Sequence, residues 1–191
     1  PSPLAGVTSV GGFGATQFAY NKCGTTPCDP QAPVSDCKYR ETRGLHNGLD
    51  LIVPNGTPVY WTGNVNGIVK YLGDEYRDAR PNVVVEAAGY NVVFGHLSRE
   101  FTVEKGQEVS FMTQIGTTGN ENHLHLGIVM GAKFYNPLYF FGQSVADSFV
   151  ALMGRYIEGE GPWSMRSYTR SSGICANYFW GCPPDRTGID R

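Results

Sequence analysis

Between residues 51 and 129 the chain is a succession of short β-branched and aromatic runs separated by turn residues. The runs are Leu51-Ile52-Val53, Pro58-Val59-Tyr60-Trp61, Gly67-Ile68-Val69-Lys70-Tyr71, Asn82-Val83-Val84-Val85-Glu86, Asn91-Val92-Val93-Phe94 and His125-Leu126-Gly127-Ile128-Val129. Asn-Gly, Gly-Asp and Gly-Asn steps break them, which predicts an antiparallel sandwich or barrel. Helix signals are scarce. One helix is expected over residues 144–156, where Val145, Phe149, Leu152 and Tyr156 fall on one face. Residues 1–45 are rich in Gly, Thr, Pro and Cys, with one β-like run at 14–20. The expected organisation is an N-terminal segment (1–45) contributing to the core, a core over 46–140, and an extension over 141–191 that is not a separate domain.

Composition narrows the class. A chain of 191 residues can bury one good core with an appended lobe, and 41% hydrophobic residues exclude disorder. The 25 glycines and 12 prolines are scattered rather than periodic, as a turn-rich β protein requires. A net charge of −2 without any Lys/Arg run leaves no electrostatic footprint for nucleic acid. No apolar stretch reaches the length of a membrane span.

Five cysteines (Cys23, Cys28, Cys37, Cys175 and Cys182) fall in the two terminal regions, with spacings unlike a paired zinc ribbon. They read as disulfides in an oxidising compartment, with Cys175 and Cys182 the natural local pair and the remaining connectivity open. The opening Pro1-Ser2-Pro3 is what removal of a secretory leader would leave, and trimming of the chain would leave it equally well.

All four histidines sit in three phrases: His46-Asn47-Gly48-Leu49-Asp50, Gly95-His96-Leu97-Ser98 and His123-Leu124-His125. Imidazole is the commonest protein ligand for zinc, and a carboxylate is a normal third partner. A separation of four, with Gly48 between, lets His46 and Asp50 converge on a turn entering a strand. In a strand, residues i and i+2 share a face, so His123 and His125 point one way while Leu124 and Leu126 point the other. Alone, each phrase is as compatible with a solvated surface. Together they supply three ligands and spare imidazoles, which suits a catalytic zinc with an open water position. Spacing leaves open which of His123 and His125 binds the metal.

These phrases, in this order, resemble the LytM/lysostaphin-type zinc endopeptidases, which cleave the peptide parts of bacterial peptidoglycan. The likeness extends to Val53-Pro54-Asn55-Gly56-Thr57-Pro58-Val59-Tyr60, to Val103-Glu104-Lys105-Gly106-Gln107-Glu108-Val109, to Ile115-Gly116-Thr117-Thr118-Gly119-Asn120 and to Asn136-Pro137-Leu138. It covers residues 7–140. The resemblance implies a mainly β fold, an antiparallel β-sheet core of the lysostaphin type (a duplicated hybrid motif) with a short C-terminal helix and extension. It implies one Zn2+ ion held by His46, Asp50 and His125, with His123 as general base and His96 orienting water or stabilising the transition state. It also implies a secreted, periplasmic or cell-wall-associated monomer acting on peptidoglycan peptides.

The chain departs from the family pattern in three places. The loop from Gly119 to His123 is short, with Asn122 where proline is frequent. Phe94 stands where tyrosine is frequent, and the cysteine-bearing insertion and the tail lie outside the shared core. Two other readings follow from the same residues. One is a non-catalytic or latent peptidoglycan-binding or regulatory module of this fold. The other, a dipeptidase trimming D-Ala termini, would commonly place a glutamate three residues before a ligand histidine. No Glu-x-x-His occurs at His96, His123 or His125.

Overall fold

The computed structural model describes residues 6–22, 45–73, 81–169 and 189–190. Among these residues the strands are β1 (Ser9–Gly11), β2 (Leu49–Ile52), β3 (Pro58–Tyr60), β4 (Gly67–Gly73), β5 (Asn82–Ala87) and β6 (Tyr90–Gly95). They continue with β7 (Glu108–Val109), β8 (Gln114–Thr117), β9 (His123–Met130), β10 (Lys133–Tyr135), β11 (Ser167–Thr169) and β12 (Ile189–Asp190). Two α-helices, α1 (Gln17–Lys22) and α2 (Gln143–Ala151), complete the set. The fold is therefore mainly β, with antiparallel pairing between strands, as the alternation of short runs and turns requires. No helix among the described residues is long and apolar enough to cross a membrane. All five cysteines lie outside the described residues.

The chain divides into two compact units, Pro1–Thr8 with Asp50–Met130, and Ser9–Leu49 with Gly131–Arg191. In the first, strands run in the order β9-β6-β5-β4-β7, and β2 pairs with β9. Val83, Val84 and Val85 on β5 are all fully buried, which is why that strand reads as a continuous apolar run. Strand β9 instead alternates at its start, with Leu124 and Leu126 buried and His123 and His125 less completely so. The β6–β9 register sets Phe94 against Leu126 and Gly95 against His125. A separate two-stranded sheet pairs β3 with β8.

In the second unit, β10, β11 and β12 pair in that order. Tyr168 is buried between Phe13, with ring centroids 5.2 Å apart, and Phe134, at 5.4 Å. Asn136 is fully buried. Its side-chain amide donates to the carbonyls of Pro162 (2.9 Å) and Met165 (3.0 Å), and its oxygen accepts from the Leu138 amide at 3.1 Å. That last bond caps a short 3-10 helix, Pro137–Phe140.

Two local expectations change. The β-like run at 14–20 supplies only isolated bridges at Gly14 and Thr16 before α1 begins. The Thr16 hydroxyl accepts from the Ala19 amide at 3.1 Å, the N-cap bond that starts a helix there. The helix expected over 144–156 runs only over α2. Met153 and Tyr156 are drawn into bridges with Val10 and Thr16, and Gly154 between them favours the break.

Candidate metal centre

Pairing between β2 and β9 sets Asp50 beside His125, 75 residues away in the chain. Buried Leu49 and Leu51 leave Asp50 on the opposite face of β2, and the His125 Nδ1 lies 2.8 Å from Asp50 Oδ1. The same carboxylate oxygen is 3.9 Å from His123 Nε2. Asp50, His123 and His125 have side chains 13%, 17% and 15% exposed, so the three polar groups share a largely desolvated setting where charge interactions strengthen.

His96 joins them through the β6–β9 register. Gly95 faces His125, and a Cβ at Gly95 would meet Asn82 Oδ1 at 3.0 Å and the His125 Cβ at 3.2 Å, so the bare backbone makes room for the ring. Immediately beyond it, His96 takes a left-handed conformation (φ 62) that turns the chain out of the strand. The Gly119 amide anchors that turn by donating to the His96 carbonyl at 2.8 Å. The His96 ring lies 4.3 Å from that of His123 and 6.0 Å from that of His125, centroid to centroid. The structure thus brings together Asp50, His96, His123 and His125 from three sequence phrases.

Sequence spacing did not point to Glu121. Its backbone carbonyl accepts from His123 Nδ1 at 2.9 Å, while its carboxylate lies 3.4 Å from His96 Nδ1. Since a carbonyl only accepts, His123 carries its proton on Nδ1, which leaves Nε2 as the basic nitrogen. The available signal was an acid two residues before the His-x-His strand. Asn122 beside it adopts φ 56, donates its amide to Asn55 Oδ1 at 3.1 Å and accepts from the Val53 amide at 3.2 Å. A proline, fixed near φ −65° and without an N–H, fits neither the angle nor the Asn55 bond. The departure from the family pattern at this position therefore has a local cause.

His46 belongs to the second unit. It is buried, exchanges two backbone hydrogen bonds with Gly14 (2.8 and 2.9 Å), and donates from Nδ1 to the Gly12 carbonyl at 2.6 Å. That bond fixes the tautomer and turns the ring's lone pair to Nε2, the arrangement in which a histidine ligates metal through one nitrogen while the other is held.

Similarity to known proteins bears on the family. The model of peptidase family M23 matches residues 44–137, which contain all four histidines and Asp50. The peptidoglycan DD-endopeptidase ShyA of Vibrio cholerae is 33% identical over 98 residues, covering 49% of this chain and 22% of that protein. The DD-carboxypeptidase/endopeptidase Mpg of Neisseria meningitidis serogroup B is 28% identical over 100 residues, with the same shares. The chain thus matches about a fifth of the length of these curated relatives. Among solved structures, LytU is 21% identical with a TM-score of 0.48, over 71% of this chain and 84% of that one. Over residues 44–137, just under half of its length, the chain carries the sequence pattern of peptidase family M23.

Proposed function

We propose that the chain is a zinc-dependent endopeptidase that hydrolyses peptide bonds in the stem peptides or cross-bridges of peptidoglycan. The observation that carries this reading is the gathering of His123 and His125 at the Asp50 carboxylate, with His96 beside both rings, within residues matched to a peptidase family. Both relatives named above are described as acting as endopeptidases, and one explicitly on peptidoglycan.

The donor set for one zinc ion is the one that the family resemblance implies, His46, Asp50 and His125. Two imidazoles and a carboxylate suit zinc by type, whereas magnesium and calcium sites are built from oxygen. His46, whose Nδ1 is bonded to the Gly12 carbonyl, would ligate through Nε2, and the His125 Nδ1 lies beside Asp50 Oδ1. When bound, such an ion acidifies water and polarises the scissile carbonyl.

The remaining steps belong to the protein's own side chains. His123, with Nδ1 held by the Glu121 carbonyl, accepts the proton of the attacking water on Nε2. The water oxygen bonds to the carbonyl carbon, the C–N bond breaks, and the same proton passes from His123 to the departing amine. His96 stabilises the negative charge that develops on the carbonyl oxygen. The protein acts outside the cytoplasm, as a monomer, where its polymeric substrate lies.

The test is digestion of purified peptidoglycans of different cross-link chemistry, with and without a zinc chelator, followed by mass spectrometry of the fragments. Chelator-sensitive release of peptides is expected. Zinc-loaded protein that cleaves no wall type would overturn the reading in favour of a binding or regulatory module.

A further inference from the structure

We propose that the aromatic cluster of the second unit, Tyr139, Phe140 and Trp163 with Arg166 beside them, is a docking surface for the glycan strands of peptidoglycan. The choice of this polymer rests on the function proposed above, whereas a saccharide-binding surface stands without it. Tyr139, Phe140 and Trp163 are 43%, 45% and 38% exposed. With Phe18 they are the large exposed hydrophobic residues among the described part of that unit, and none is aliphatic. An exposed apolar patch of this kind commonly marks a binding surface.

The cluster is held in place before any ligand arrives. Tyr139 and Phe140 lie on the 3-10 helix capped by buried Asn136, whose side-chain amide also holds the carbonyls of Pro162 and Met165, which flank Trp163 in sequence. Tyr139 and Trp163 pack edge to face at 5.3 Å, and the Tyr139 hydroxyl donates to the Trp163 carbonyl at 3.3 Å. Phe140 packs edge to face with Tyr135 at 6.3 Å. Rings fixed in the free protein lose little freedom on binding, which lowers the cost of association.

The chemistry of the patch selects a saccharide. A pyranose ring has a face of slightly positive C–H bonds that packs on the negative face of an aromatic ring, and a rim of hydroxyls that needs polar partners. A face built for lipid, or the core of a protein interface, would include aliphatic side chains, and the latter is depleted in lysine. Here cations sit among the rings: the Arg166 guanidinium is 5.6 Å from the centre of the Tyr139 ring, and the Lys133 ammonium 5.7 Å from that of Tyr135. Those charges complement the carboxylates that the strands carry on their lactyl groups or stem peptides.

Binding to the full chain is measured by isothermal titration with two probes. One is peptide-free glycan strands, released by an amidase that leaves a carboxylate on each lactyl group; the other is chitin oligosaccharides, which lack that charge. The wild type is compared with Trp163→Ala, Phe140→Ala and Arg166→Gln, and far-UV circular dichroism checks that each variant is folded. The wild type should bind both probes. Trp163→Ala and Phe140→Ala should each weaken binding of both by about 10-fold, as truncation of an aromatic anchor does. Arg166→Gln should weaken binding of the charged strands alone. No binding of either probe, or binding that survives both aromatic substitutions, overturns the proposal. So does a wild type that binds anionic phospholipid vesicles, or pairs with itself in sedimentation, in place of glycan. Glycan binding lost on substitution, in protein that cleaves no wall type, supports the docking surface while counting against the enzyme.

Discussion

The His46 Nδ1 donates to the Gly12 carbonyl at 2.6 Å, across 34 residues of chain, and Gly12 in turn packs against the Tyr156 ring. The orientation of one proposed zinc ligand is thus set by a backbone atom at a position with no room for a side chain. A Cβ at Gly12 would overlap the Tyr156 hydroxyl. Gly12→Ala must therefore shift either the ring or the carbonyl, at a cost of about 1–3 kcal/mol. Zinc affinity should fall on the order of 10–100-fold, as when other outer partners of metal-bound histidines are removed. Thermal unfolding and competitive zinc titration of the same variant measure both effects.

Strand β9 separates chemistry from stability, one residue at a time. His123→Ala removes a polar ring from the rim of the site, not from the apolar core, and should leave the unfolding midpoint nearly unchanged. Turnover should drop by about 10²–10⁴, with zinc retained. Leu124→Ala, on the opposite face and buried, should cost about 2–5 kcal/mol. His96→Ala should likewise keep the metal and lose about 10²–10³ in rate. Metal content, kcat and thermal midpoint measured across the three variants would show whether the two faces are as independent as the alternation implies.

That alternation was legible in the sequence because a strand has a period of two and His123-Leu124-His125-Leu126 uses all of it. The central strands were legible for the complementary reason: Val83-Val84-Val85 is a run that only a doubly covered strand tolerates. Strands of two to four residues such as β7, β8 and β10 carry too little pattern to be read, since their pairing comes from partners far away in the chain. Tyr156 satisfied the helical spacing from Val145, yet bridging to Thr16 placed it elsewhere. Glu121 escaped because its link to His96 depends on the register of β6 against β9 and on the left-handed turns at His96 and Asn122. Tertiary pairing sets those features, and no local propensity encodes them.

Gly119 supports His96 from behind. Its amide bonds to the His96 carbonyl, and a Cβ there would meet the Leu97 carbonyl oxygen at 2.8 Å and that of His96 at 3.1 Å. Both are backbone atoms, so no side chain can swing away to relieve the contact. Gly119→Ala should push the 96–97 segment outward, destabilise the fold by about 1–3 kcal/mol and lower kcat more than it raises KM. A loss confined to stability, with kinetics of the remaining folded protein unchanged, would show that the turn tolerates displacement without moving the His96 ring.

Alkaline stability gives a test away from the proposed metal ligands. Burial pushes the Tyr156 hydroxyl well above its usual value of 10.0. Desolvation disfavours the phenolate in the folded chain, whereas the unfolded chain releases that proton near pH 10. The folded state therefore holds the proton over a range in which the unfolded state does not. This contribution is fully present below about pH 10 and is lost as pH rises from there through the folded value. The denaturation midpoint should fall above about pH 10, and Tyr156→Phe should remove that part of the slope. The substitution also gives up only the weak contact from the hydroxyl to the Met153 sulfur, 3.5 Å away, so its stability near neutral pH should change little. Denaturant melts of the two proteins between pH 7 and 11 would decide. Parallel curves at every pH would mean that the hydroxyl is solvated well enough to ionise in the folded chain.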